Sequence, residues 1–255
     1  MRDILIISRS TIKELVRGQV FLIAFFMGLA LAILTYVGVE LSYGAPTKVA
    51  IDFGMGLISI CNIAISVFLG VRLLKNEIEN RTLYIILSRP ISRTSFYFGK
   101  ISGLALTLLA MNVVIGIQTL WTYWYYGGKF DFLIPWALVF NYFEGLIILG
   151  FVVLFSLITT NIASVLFGLG MYVIGHMLPN LIELPNVQRI EILHSAMKYA
   201  LFFVPDLNRI NIKSHLLYGS PIDFQYLMMA LAYCLAYLSV IFFLSVRIFK
   251  SKDLN

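Results

Sequence analysis

The chain has 255 residues, of which 60% are hydrophobic and only 13% charged, with a net charge of +6 and a mean hydropathy of +0.90. A soluble domain carries about 25% charged residues, so this composition excludes a globule covered by water on all sides. The apolar residues fall in blocks near the ~20 residues a helix needs to cross a hydrocarbon core, and none alternates as a barrel strand would. The predicted fold class is an all-α membrane protein.

In chain order, residues 1–19 come first. Ile4, Ile7 and Leu15 share a helical face with Leu5, Ile12 and Val16 alongside, while Arg2, Arg9, Lys13 and Arg17 lie mostly opposite. This is the pattern of an amphipathic helix in the membrane interface, basic face to the headgroups; the simpler alternative is a charged leader to the first span. Six spans are predicted, over 20–40, 53–74, 101–125, 136–159, 162–178 and 224–246. The first apolar run is too long for a signal-peptide core, and no small-residue cleavage site comes after it.

With six spans, the basic groups before the first span, those beside the 75–100 loop (Arg72, Lys75, Arg81, Arg89, Arg93, Lys100) and those after the last span (Arg247, Lys250, Lys252) fall on one side. The positive-inside rule places that side, and both termini, in the cytoplasm of a plasma membrane. The basic balance thus reads as topology and contact with anionic lipid, not as nucleic-acid binding.

The 75–100 loop reads KNEIENRTLYIILSRPISRTSFYFGK. A short helix is expected from Glu77 to Leu87, stopped by Pro90, with hydroxyl caps at Ser92 to Ser95 for the helix that re-enters the membrane. Such a helix on the cytoplasmic face is a natural docking element for a soluble partner. Trp121, Tyr123, Trp124, Tyr125, Tyr126 and Trp136 form an aromatic belt around the second outer connection. Thr159, Thr160 and Asn161 alone turn the chain between the fourth and fifth spans, making those helices antiparallel neighbours. In the long connection, 179–221, residues Ile190, Leu193, Met197, Leu201 and Val204 repeat at helical spacing in an interfacial or re-entrant helix ended by Pro205, and Asp206 is placed to cap the next turn of chain.

No catalytic set stands out. There is no GxxxxGK[ST] loop, HExxH or GxSxG, and His176, His194 and His215 lack metal-ligand spacing. Cys61 and Cys234 both lie in predicted spans and read as buried apolar fillers. No cofactor or metal is expected in this chain. Polar groups inside spans are costly and draw attention: Asn62, Asn112, Gln118, Glu144 and His176. For the three amides interhelical hydrogen bonding is the plainer reading. Glu144 is either functional or, should its span begin later, an interfacial residue.

The loop carries a resemblance. Glu77-x-Glu79-Asn80-Arg81-Thr82-Leu83, then Leu87-Ser88-Arg89-Pro90-Ile91-Ser92-Arg93, then Gly99-Lys100, resembles the cytoplasmic loop of ABC-2-type permeases, closest to the branch of the nitrous-oxide-reductase maturation permeases, with a type V exporter-like fold. The 1–19 segment is similar to that family's elbow helix, and Val204-Pro205-Asp206-Leu207 to its outer re-entrant segment. The resemblance implies a permease subunit of an ABC exporter that pairs with a second permease subunit, as a homodimer or heterodimer. It implies that cytoplasmic ABC ATPase subunits, which would hold ATP and Mg, dock on Glu77, Glu79, Asn80, Arg81, Thr82 and Leu83. Arg89 and Arg93 serve that surface or bind headgroups. The resemblance also implies a path lined by the second and fifth spans, pointing to Ser59, Asn62, Ser66, Ser164, Tyr172 and His176, with Glu144 added from its place in a span. Two other classes compete: a membrane anchor or regulator that recruits an ATPase without moving a solute, and an intramembrane enzyme.

Overall fold

A computed structural model of the chain describes residues 2–17, 20–41, 44, 46–79 and 92–251, and these are helical apart from short connections. The long helices are α1 (Arg2–Arg17), α2 (Val20–Glu40), α3 (Pro46–Glu79), α4 (Arg93–Tyr125), α5 (Leu133–Ile158) and α6 (Asn161–Ile182). After α6 come a single turn, α7 (Pro185–Gln188), then α8 (Glu191–Phe203), a 3-10 turn (Leu207–Arg209), α9 (Lys213–Tyr218) and α10 (Phe224–Ser251). Among the described residues, five stretches are long and apolar enough to cross a membrane: Pro46–Val71, Thr94–Tyr125, Leu133–Ile158, Asn161–Ile182 and Phe224–Ser251. The remaining expected span, 20–40, coincides with α2, whose described apolar stretch, Gly28–Glu40, is shorter. Large apolar side chains such as Phe25, Ile60, Ile117, Leu166 and Phe243 point outward. A water-facing surface would not tolerate so many, and a lipid-facing one requires them. The chain is a membrane-embedded, all-α protein.

The helices overrun their expected bounds because nothing in the sequence stops them. Pro46 opens α3, its fixed φ suiting the first helical position. At the other end α3 passes through Lys75 and Asn76 without a break, so Glu77 and Glu79 belong to its last turn. The separate short helix expected to begin at Glu77 does not begin there; its remainder, 80–87, and Pro90 lie outside the described residues. Ser92 does cap α4, its Oγ accepting the N–H of Ser95 at 3.1 Å. The fifth span does not stop at 178: α6 continues through Pro179 to Ile182. The proline costs it only the bond to the Gly175 carbonyl.

α5 is the most enclosed helix of the bundle. Every residue from Glu144 to Val153 is buried, so no side of this stretch faces lipid, as befits a core helix. It packs against α3, α4, α6 and α10. Thr159 and Thr160 form the expected tight turn between α5 and α6. Val152 is the knob at their contact, and its side chain also fills the space above Gly70 of α3.

α1 lies along the start of α4. Gly99 and Gly103, one turn apart, let the two backbones approach: a Cβ at Gly99 would stand 2.7 Å from that of Ile7, and one at Gly103 would stand 2.8 Å from that of Thr11. Ile7, Ser8, Thr11 and Leu15 are buried in this contact, and Lys100 Nζ reaches Glu14 Oε2 at 3.3 Å. Leu5 and Val16 form a second, exposed apolar strip, with Arg9 and Lys13 exposed beside it. Both Cys61 and Cys234 are free and buried, as expected.

Candidate functional site

The polar residues of α3 recur on one face. Asp52, Gly56, Ser59, Asn62 and Ser66 succeed one another at spacings of three or four, which keeps them on one side of a helix over about 21 Å of its length. That side meets α5. Ser66 Oγ donates to the Gly145 carbonyl at 2.8 Å, and Asn62 Nδ2 donates to the Asn141 carbonyl at 3.2 Å. Ser59 Oγ stands 2.9 Å from Asn141 Oδ1 and 3.0 Å from Glu144 Oε2, its single hydrogen serving one of them at a time. The result is a polar seam inside an otherwise apolar bundle.

At Ser59 the seam opens into a cavity of about 280 Å³, walled by α3, α5, α6 and the 210–213 segment. Its lining includes Gly56, Ser59, Asn141, Glu144, Tyr172, His176, Asn211 and Lys213. Beyond Ser59 and Glu144 the helices close on each other, with Asn62 and Ser66 almost fully buried. The cavity therefore reaches in from the end of the bundle that carries the 126–132 and 183–223 connections and stops partway through. At its mouth Lys213 Nζ pairs with Asp52 Oδ1 at 2.6 Å.

The floor is a charge-bearing pair. Glu144 Oε1 lies 2.8 Å from His176 Nε2. On the ring's other side, Nδ1 is 3.2 Å from Asn208 Oδ1. Tyr172, one turn earlier on α6, packs edge-on against the imidazole with centroids 4.7 Å apart. Asn208 belongs to the loop after α8, held on α10 by a row of tyrosines. Tyr237 donates to the Phe203 carbonyl at 2.7 Å, Tyr233 accepts the N–H of Asp206 at 2.8 Å, and Tyr226 donates to the Arg209 carbonyl at 2.9 Å. Leu207, Ile210 and Ile212 anchor the same loop in the core. Asp206, expected as a cap, makes no side-chain cap; its carboxylate instead takes Arg209 Nε at 2.9 Å.

The structure thus brings Ser59, Glu144, Tyr172 and His176 to one cavity and sets Asn62 and Ser66 in the closed seam beneath it. Glu144, buried in the middle of α5, is no interfacial residue. Ser164 does not join them: it sits in the first turn of α6, where its Oγ returns to the Asn161 carbonyl at 2.8 Å. Glu77 and Glu79 are on the last turn of α3, and Asn80, Arg81, Thr82 and Leu83 lie outside the described residues. Sequence reasoning missed Asn141, Asn208 and Lys213. Asn141 had a signal, being three residues before Glu144 and hence on its face of the helix; Asn208 and Lys213 meet the site only through the fold. Among the described residues no group of three or more His, Cys, Asp or Glu is placed to hold a metal ion. What the fold and site define is a membrane-embedded helical bundle with a one-sided polar cavity ending on a carboxyl–imidazole pair. No model of a known protein family matches the sequence, and no curated protein is similar to it.

Proposed function

We propose that this chain is the permease subunit of an ATP-driven transporter of the ABC-2 type, an exporter working with a separate cytoplasmic ATPase. The observation that carries the reading is the polar seam of α3 and α5, open as a cavity at one end and closed at Asn62 and Ser66. Polar groups buried in a membrane bundle are costly, and a seam closed on one side only is half of an alternating path. The sequence contains no phosphate-binding loop, so the energy comes from a partner. In this reading six spans, α2 included, place both termini in the cytoplasm of the plasma membrane. α1 lies in the lipid interface, and two permease subunits pair. The ATPase docks at the end of α3, on Glu77, Glu79 and the adjoining Asn80-Arg81-Thr82-Leu83 run. Because α3 carries the seam and is one continuous helix, a push on its last turn moves Ser59, Asn62 and Ser66 as a rigid body against α5.

The test is ATP turnover by the partner ATPase, measured with and without this chain in lipid nanodiscs. The reading expects the chain to change turnover, and Glu144→Gln to alter that change while leaving ATPase binding intact. Binding with no effect on turnover would instead make the chain an anchor.

A further inference from the structure

The hydrogen bonds around His176 fix how many protons the closed site holds. Asn208 Nδ2 donates to the His176 carbonyl at 3.0 Å and to Asn180 Oδ1 at 3.1 Å. Both partners are acceptors, so the amide cannot be turned round, and its Oδ1 is what faces His176 Nδ1. Nδ1 must therefore carry hydrogen. A neutral imidazole has only one N–H, so Nε2 then presents a lone pair to Glu144 Oε1 at 2.8 Å. A carboxylate against a lone pair repels. The contact forms only with one more proton, on Nε2 as an imidazolium or on Glu144 as the acid.

If the loop carrying Asn208 withdraws, the requirement disappears. A neutral imidazole can then place its single N–H on Nε2 and donate to an ionised Glu144. The arrangement with Asn208 seated thus holds one proton more than the arrangement without it. We propose that Glu144 and His176 form a proton-binding site, served by the cavity, whose occupancy locks the 206–213 loop shut. Acid favours the locked form, and opening releases the proton.

The other groups facing the pair do not supply this proton. Asp52 and Lys213 are paired with each other at the cavity mouth, and Asp206 with Arg209 on the loop itself. Tyr172 of α6 packs against the imidazole, and Cys234 of α10 is buried. Phenols and thiols ordinarily titrate above the neutral range, and carboxylates below it. The proton count is set by the hydrogen bonds and holds whether or not the chain transports anything.

The test uses the full chain in nanodiscs without nucleotide or ATPase, Cys61 and Cys234 replaced by Ala, and nitroxide labels at Ser214 and Lys129. Ser214 lies beside the loop, and both labelled positions are exposed. Distance distributions are recorded by pulsed electron paramagnetic resonance from pH 5.5 to 8.5. The expected result is two populations whose open-to-closed ratio rises with pH, approaching tenfold per unit where the open site no longer holds the proton. In Glu144→Gln the side-chain amide can donate to the Nε2 lone pair of a neutral ring, so one closed population is expected at every pH. His176→Gln, which cannot titrate, is expected to show no pH dependence either. A wild-type ratio that ignores pH, a single population throughout, or the same pH dependence in either variant would overturn the proposal.

Discussion

Ser66 Oγ lies 2.8 Å from the carbonyl oxygen of Gly145, and both residues are buried. This bond ties α3 to α5 below the cavity, where a Cβ on Gly145 would stand 3.4 Å from the same Ser66 Oγ. Ser66→Ala removes the donor and leaves little room to repack. The expected cost is about 1 kcal/mol, a fall in melting temperature of roughly 2–4 °C for a chain of this size, read in detergent by intrinsic fluorescence. An unchanged melting temperature would show that the bond contributes nothing to closing the seam.

Val152 fills the space over two glycines. A Cβ on Gly70 would stand 2.7 Å from Val152 Cγ1, and one on Gly168 would overlap Val152 Cγ2. Gly168→Ala is expected to destabilise the wild type by ~1–3 kcal/mol through overpacking against Val152 Cγ2 alone, since Val152 Cβ stands 3.6 Å away. In a Val152→Ala background the same change is expected to become neutral or stabilising, because alanine is favoured over glycine in a helix by about 1 kcal/mol. A double-mutant cycle on thermal stability checks the sign reversal.

The seating of α1 depends on Gly99 and Gly103. Gly103→Leu cannot be accommodated, since even a Cβ there would stand 3.0 Å from the Ser8 carbonyl oxygen. The expected outcome is an α1 detached from α4, with a cysteine placed at Ser8 becoming reactive to a water-soluble maleimide. In the parent Ser8 is buried and the same cysteine should stay protected.

Removing one member of the cavity floor should cost more than conservative exchange. Glu144→Ala leaves His176 Nε2 without its partner, while Ser59 Oγ keeps Asn141, and a loss of about 1–3 kcal/mol is expected from the unsatisfied polar group. Glu144→Gln keeps the hydrogen bonds and should cost far less. Equal stabilities of the two variants would show that the pair is solvated and structurally idle.

Most of the bundle was legible because each span is a block of apolar residues bounded by charge, proline or hydroxyl caps. Boundaries were less so. α3 ran past Lys75 because polar residues at a membrane surface do not end a helix, and α6 ran past Pro179 because one lost backbone bond can be borne near a helix end. Within the site, Ser59, Asn62 and Ser66 came only from the resemblance, although their spacing of three and four places them on one face of one helix, and Glu144 stood out as a lone carboxylate in a span. The resemblance also pointed to Ser164, whose hydroxyl returns to its own helix; sequence cannot tell such a serine from one facing a cavity. Asn208 reaches His176 across 32 residues of chain, by way of a loop whose course is set by Tyr226, Tyr233 and Tyr237. No local pattern announces such a contact.

Charge reversal at Glu77 and Glu79 tests whether a separate ATPase drives this chain through the end of α3. The full chain, wild type or Glu77→Lys/Glu79→Lys, is purified from its native membrane in mild detergent and assayed for associated ATP hydrolysis. An ATPase is expected to accompany the wild type and to be lost from the variant, with the variant's melting temperature unchanged. Hydrolysis that co-purifies equally with both, or with neither, would contradict it.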